Sequence, residues 1–63
     1  MIVRVEGIIA NIYHTTNSKG YIIWIVDLSD FPLCQGRGKT KEEALQDAIN
    51  QKNRFLARGE MLL

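Results

Sequence analysis

The clearest strand signal in the chain is YIIWIVDL, residues 21–28, where β-branched and aromatic side chains dominate. One parity carries Tyr21, Ile23 and Ile25, and the other carries Ile22, Trp24, Val26 and Leu28. A strand that is apolar on both faces is usually covered on both faces, whereas one helix covers only one face of a sheet. We therefore expect the second face or a sheet edge to meet a second copy of the chain, a different protein, or both. The alternative is simple exposure of Tyr21 and one or two isoleucines.

Upstream of this strand, residues 2–13 are rich in β-branched side chains and predict a first strand. Its apolar alternation changes phase near Gly7, which we interpret as a β-bulge. Residues 14–20 are polar and predict a turn, so that residues 2–13 and 21–28 pair as a hairpin.

Downstream, residues 29–32 predict a turn and residues 33–37 a short third strand that Gly36 weakens. A helix is expected from Thr40, because Thr40 and Glu43 have the spacing of a capping box. Gly59 is placed as the residue that follows the helix. The helix has one apolar face at i, i+3, i+4 spacing: Ala44, Leu45, Ala48, Ile49, Phe55 and Leu56. Cations late in the helix suit its dipole: Lys52, Arg54 and Arg58.

These elements predict an α+β fold in which a three-stranded antiparallel meander packs one helix on one face, in the order β-β-β-α. A single domain is expected over residues 1–63. Residues Met61–Leu63 form either a short terminal strand or a loose apolar tail.

The composition is that of an ordinary globular domain, with 46% hydrophobic and 24% charged residues and a net charge of +1. Cys34 is the only cysteine, so a disulfide within the chain is excluded and a reducing, cytoplasmic location is expected. Polar residues interrupt the early apolar ones, which argues against a secretory signal. The longest apolar run, residues 22–26, is too short to span a membrane.

The residue patterns indicate no enzyme, no metal site and no cofactor. Gly38-Lys39-Thr40 looks like the end of a phosphate-binding loop, but the first glycine of that motif falls on Leu33. His14 lies in or beside the hairpin turn without marked catalytic partners, and Cys34 is expected to be a small buried residue. We interpret four acidic residues as belonging to turns or to the start of the helix: Asp27, Asp30, Glu42 and Glu43.

One loop carries three cations, Arg37, Lys39 and Lys41. With stacking faces from Trp24 and Tyr21, these could contact an anion or a nucleic acid. The alternative is that this loop is simply solvated. The net charge of +1 argues against direct nucleic-acid binding as the main role.

A longer pattern runs from Tyr21 to Ala48. The aromatic-rich strand is followed by Asp30-Phe31-Pro32-Leu33-Cys34, three residues, Gly38-Lys39-Thr40, two residues, Glu43-Ala44-Leu45 and then Ala48. This arrangement resembles the HicB family of antitoxins, which shows Asp-Leu-Pro-Gly-Cys, Gly-Asp-Thr and Glu-Ala-Leu at the same spacing. Leu33 replaces the usual glycine, and Lys39 replaces the usual aspartate.

The resemblance implies a partial ribonuclease-H-like domain without nuclease activity and without the family's DNA-binding domain. It implies a partner, a small RNA-cleaving toxin of HicA type whose active site the domain covers, and a homodimer or higher oligomer. The residues we expect to bind the partner are Trp24, Phe31, Leu33 and Arg37, because aromatic and apolar side chains with an arginine rim are typical of hot spots. Two other hypotheses stay open: a phage- or element-encoded inhibitor of a host defence protein, and a weak nucleic-acid binder through residues 37–41.

Overall fold

The computed structural model describes the backbone of residues 1–61 and the side chains of residues 1–59. Its elements are β1 (Ile2–Val5), β2 (Ile8–Thr16), β3 (Ile22–Leu28), β4 (Phe31–Gly38) and α1 (Lys41–Met61). The four strands form one antiparallel sheet in the order β1-β2-β3-β4. The predicted α+β class, with an antiparallel meander and one helix, is confirmed, and the sheet has one strand more than the three that we predicted.

The extra strand arises at Glu6 and Gly7, where we had predicted a bulge in a single strand. These two residues form a tight hairpin turn, and both have positive φ, 52° and 78°. Val5 pairs with Ile8 directly across the turn. Two consecutive residues with positive φ are typical of the mirror-image turns that connect hairpins. The change of phase at Gly7 therefore marks a reversal of the chain, which brings Val3 and Ala10 to the same face.

The connection between β2 and β3 is shorter than predicted, since residues 14–16 belong to β2. The Asn17 side chain shapes the turn by accepting hydrogen bonds from the amides of Lys19 (2.9 Å) and Tyr21 (3.0 Å). Gly20 supplies a backbone φ of 86°, which non-glycine residues rarely adopt.

β4 begins at Phe31 and includes Pro32, which we had placed in the turn. Proline lacks the amide donor that a central strand needs, but β4 lies at the edge of the sheet, where it is tolerated. The register between β3 and β4 shifts at Asp27 and Leu28.

Helix α1 starts as the capping signal predicts, with the Glu43 amide donating to the Thr40 hydroxyl at 3.1 Å. The return arm of the predicted capping box is wrong, because the Glu43 carboxylate accepts from the Lys39 amide at 3.0 Å rather than from the Thr40 amide. The predicted end at Gly59 is also wrong, since Gly59 and Met61 both lie within α1. Of the predicted terminal strand or tail, Leu62 and Leu63 lie outside the described residues. Across the described part of the chain, no helix is long and apolar enough to cross a membrane.

The core lies between α1 and one face of the sheet. Its buried residues are Ala10, Ile12, Val26, Leu28, Ala44 and Ala48. The helix backbone rests almost directly on β4, because a Cβ atom on Gly36 would lie 2.1 Å from the Ala44 carbonyl oxygen. A Cβ atom on Gly38 would lie 2.6 Å from the Glu43 Cβ. Gly36, which the sequence suggested would weaken the strand, is the position that lets the two elements meet.

Candidate protein-binding surface

The face of the sheet that α1 does not cover, here called the open face, carries both apolar and polar side chains. Ile25 on this face is nonetheless buried, at 8% exposure, beside its cross-strand neighbours Tyr13 and Arg37. On this face Ile9 and Tyr13 are partly exposed and Tyr21 is more so, whereas Ile22, which is also exposed, lies on the helix side with Trp24. Within residues 21–28, high exposure is limited to Tyr21 and Ile22, which corresponds to the alternative of simple exposure, and Ile25 is covered within the chain. Coverage of this face by a partner stays a prediction.

A hydrogen-bonded chain of polar side chains crosses the open face. Gln35 Nε2 donates to the Asp27 carboxylate at 2.8 Å, and its second contact, to the Tyr13 hydroxyl, is longer at 3.5 Å. Arg37 donates to Gln35 Oε1 from Nη2 at 3.0 Å and from Nε at 3.3 Å. Gln35 thereby orders groups from three strands, and it holds the Arg37 guanidinium in place.

This network changes the pKa of Tyr13. Interaction of its protonated phenol with the Asp27 carboxylate, together with partial desolvation and the charge of Asp27, raises the pKa of Tyr13 above its ordinary value. Arg37 and Gln35 act in the opposite direction and are outweighed. The phenol of Tyr13 therefore keeps its proton to a higher pH than a free tyrosine does.

The lower end of the molecule, where the turns at residues 6–7 and 29–30 lie, carries an apolar patch. Phe31 and Phe55 meet edge to face with ring centroids 6.0 Å apart, and Phe31 also packs against the core. Leu33 is 86% exposed and lies beside both rings. Arg54 and Arg58 form the rim on the helix side. We call Phe31, Leu33 and Phe55 the Phe31–Phe55 patch.

Two shallow depressions of about 270 and 260 Å³ flank Leu33 in this patch. Aromatic side chains with arginines around them are enriched among the residues that contribute most to binding at protein interfaces. The patch therefore has the chemistry of a protein-binding surface.

The structure distributes the four residues predicted to bind a partner over three separate surfaces. Phe31 and Leu33 lie together in the Phe31–Phe55 patch. Arg37 extends along the open face and bonds to Gln35. Trp24 lies on the helix side at the upper end of the sheet, where α1 begins, and is partly buried against the core.

Trp24 is enclosed by two neighbours at this upper end. The His14 ring meets it edge to face at a centroid distance of 4.9 Å, and Lys41 Nζ lies 5.2 Å from its ring centroid. Trp24 therefore joins β2, β3 and the first turn of α1. The three predicted anion-binding cations are consequently divided: Lys41 turns to the helix side, while Arg37 and Lys39 line a different concavity.

His14 and Cys34, the two residues considered as catalytic candidates, both pack against other side chains or lie in the interior. His14 packs on Trp24, and the Cys34 thiol is free and buried, as expected for a small core residue. Among the side chains of residues 1–59, no group of three or more His, Cys, Asp or Glu is placed to hold a metal ion.

Two features of the structure were not predicted from the sequence. Phe55 was expected on the buried face of α1, but it is 46% exposed beside Leu33. Lys52 is buried at 6% exposure and pairs with the Glu6 carboxylate, whereas the sequence placed it only among the late cations that suit the helix dipole. Spacing could have indicated the burial of Lys52, which lies four residues after Ala48 on the same stripe of the helix. It could not indicate the exposure of Phe55, which depends on where the sheet ends.

Comparison of the chain with protein-family models, with curated proteins and with solved structures gives no match. The resemblance to the HicB family accordingly rests on the motif residues between Tyr21 and Ala48, and stays a prediction.

Proposed function

We propose that this protein is a non-catalytic, HicB-like antitoxin module that binds a small RNA-cleaving toxin of HicA type and blocks access to its active site. The Phe31–Phe55 patch is the observation that carries this proposal. It combines an 86% exposed leucine, two edge-to-face phenylalanines and two arginines at one end of the molecule.

The patch is suited to inhibition by occlusion because its anchors are already ordered. Phe31 packs against the core and Phe55 packs edge to face against Phe31, so binding freezes few additional rotamers of these two rings. Leu33, where the HicB motif usually has glycine, adds an apolar side chain to the centre of the surface. An inhibitor of this type needs no reactive group, since covering the catalytic residues of the toxin is sufficient.

The remaining predicted residues take other roles in the proposal. Trp24 supports the junction of β2, β3 and α1, and Arg37 serves the open face. The partly exposed apolar residues of that face, Ile9 and Tyr13, favour association of copies in a homo-oligomer. The module would act in the cytoplasm, where its single thiol stays reduced.

The proposal is tested by capture and reconstitution. Tagged protein is used to capture partners from a nuclease-treated lysate of its source cells, and the partner identified by mass spectrometry is purified. We expect a small basic protein whose cleavage of RNA stops at equimolar antitoxin. A large partner without RNA-cleaving activity would instead indicate an inhibitor of a defence protein and would overturn the antitoxin role.

Two matched variants locate the contact. Leu33→Ala removes the centre of the patch and should weaken partner binding by about ten-fold or more. Leu56→Ala changes a leucine of α1 that does not line the patch and should leave the affinity unchanged. Equal affinities for both variants, with the fold intact by circular dichroism, would exclude the Phe31–Phe55 patch.

A further inference from the structure

The upper end of the sheet contains a concavity of about 900 Å³ that the proposed function does not use. It opens where β4 ends at Gly38 while β3 continues as far as Ile22. The turn between β2 and β3 forms one wall, and the connection from β4 to α1 forms the other. We call this concavity the upper notch.

The register of the sheet turns the backbone of Ile22 towards the notch. The Asn17 amide donates to the Tyr21 carbonyl at 2.9 Å, so odd-numbered residues of β3 bond towards β2 and even-numbered residues towards β4. Trp24 pairs with Gly38, the last residue of β4. Thr40, which would pair next with Ile22, instead begins the helix by accepting from the Ala44 amide at 3.0 Å. Within residues 1–61, no strand lies beside the N–H and C=O of Ile22.

The charge lining the notch is positive. Lys19, Arg37 and Lys39 come to it from three different segments. Glu43 is the acidic residue of the lining, and its carboxylate already accepts from the Lys39 amide at 3.0 Å. An acidic occupant would therefore meet three cations and one carboxylate that is already engaged.

The notch also offers apolar surface. Tyr21 is 68% exposed and Ile22 is 53% exposed, and both line it. The occupant must therefore combine main-chain donors and acceptors, negative charge and apolar groups.

We propose that the upper notch binds an extended acidic segment of a partner protein, which adds as a short strand beside Ile22. Alternation along that strand sends acidic side chains towards Arg37 on the open face and apolar side chains towards Ile22 on the helix face. The inference rests on the proposed protein-binding role, but it uses a surface separate from the Phe31–Phe55 patch. A free strand edge matches the donors and acceptors of a peptide backbone, which a nucleic acid does not reproduce, and this favours a peptide.

The test uses the full chain and synthetic probes, with binding measured by fluorescence anisotropy. The main probe is a labelled peptide of about eight residues in which glutamate and valine alternate. Two comparison peptides replace every glutamate by lysine, or N-methylate alternate amides so that the added strand loses its donors. We expect the glutamate peptide to bind about ten-fold or more tightly than either.

Matched charge reversals locate the site. Lys39→Glu, in the notch, should weaken binding of the glutamate peptide by about ten-fold, whereas Arg4→Glu, on β1 at the opposite edge of the sheet, should leave it unchanged. Equal affinity for all peptides, equal effects of both variants, or no binding of any peptide would overturn the inference. Preferential binding of an oligouridylate, with a steep loss in salt, would also overturn it in favour of a nucleic acid. None of these measurements uses the toxin, so failure of the antitoxin assay is distinguishable from failure here.

Discussion

At the β4 edge of the sheet, helix side chains take up the outward backbone groups, whereas at the β1 edge the corresponding groups are open. The Arg37 amide donates to the Asp47 carboxylate at 3.0 Å, and the Gln35 carbonyl accepts from Gln51 Nε2 at 2.6 Å. Gln51 also bonds to Asp47 at 3.1 Å, which joins the two caps. β4 is an edge strand by topology, but its hydrogen-bonding edge is covered.

β1 has no such cover in the described structure. Met1 and Ile12 exchange backbone hydrogen bonds of 2.7 Å in both directions, so the groups of Ile2 and Arg4 point away from β2. Short length and a charged side chain are the usual protections of an exposed edge, and β1 has four residues, including Arg4. The comparison teaches that the position of one helix decides which edge of a small sheet is available for pairing.

The largest expected effect removes the contact that places α1 on β4. Gly36→Ala should destabilise the fold by about 3 kcal/mol or more, because the new methyl group meets helix backbone that cannot move without undocking. Urea unfolding followed by circular dichroism measures this. Gly59→Ala is the control, since a Cβ there meets no described atom within 4 Å, and a helical alanine should stabilise by up to about 1 kcal/mol. Equal stability of the Gly36 variant and the wild type would refute the close packing.

The next effect concerns the ion pair that joins the β1–β2 turn to α1. Glu6→Gln should cost about 1–3 kcal/mol, since it leaves the buried Lys52 ammonium without its carboxylate. Lys52→Met removes the charge and keeps the apolar volume, so it should cost less. The reverse order in urea unfolding would mean that Lys52 is not buried against Glu6.

A smaller effect tests the cap on the β4 edge. Gln51→Ala should cost about 1 kcal/mol, because the Gln35 carbonyl loses its donor. The same substitution at Gln46, whose side chain bonds only to Asn50 among the described residues, should be close to neutral. If the cap also protects the edge, sedimentation should show more self-association for the Gln51 variant than for the Gln46 variant.

The smallest effect follows the polar chain that joins β2 to β4 across the open face. The Tyr13 phenolate should form above the ordinary pKa of about 10, and Asp27→Asn should lower the pKa of Tyr13. The pKa of Tyr13 is higher in the folded chain than in the unfolded chain. Protonated Tyr13 therefore contributes its full share of the folding stability below about pH 10, and this contribution is lost as the pH rises through the pKa of the folded state. Absorbance titration of the wild type against Tyr13→Phe isolates this tyrosine. If Asp27→Asn left the titration midpoint of Tyr13 unchanged, Asp27 would not be the cause of the raised pKa.

Local patterns predicted the strand at residues 21–28, the start of the helix at Thr40 and the α+β class, because each depends on neighbouring residues. The hairpin at Glu6 was missed because glutamate is not among the residues that usually accept positive φ in such turns. Its one signal was the change of apolar phase at Gly7, which a bulge also explains.

The exposure of Phe55 was missed for a reason of length. Helix α1 has 21 residues and extends about 31 Å, whereas the seven residues of β3 extend about 23 Å. The helical pattern continues beyond the sheet that buries its first half, so the same spacing yields a core residue at Ala48 and a surface residue at Phe55. The candidate patch depends on this mismatch, and it therefore needed the fold before it could be seen.

The sequential order of the strands also has a kinetic consequence. Each strand pairs with its neighbour along the chain, so the sheet assembles from local hairpins, and such low contact order favours rapid folding. The contact between Glu6 and Lys52 spans 46 residues and closes only after α1 has docked. In stopped-flow measurements, Glu6→Gln should accelerate unfolding and leave the refolding rate nearly unchanged, which would place this ion pair after the transition state.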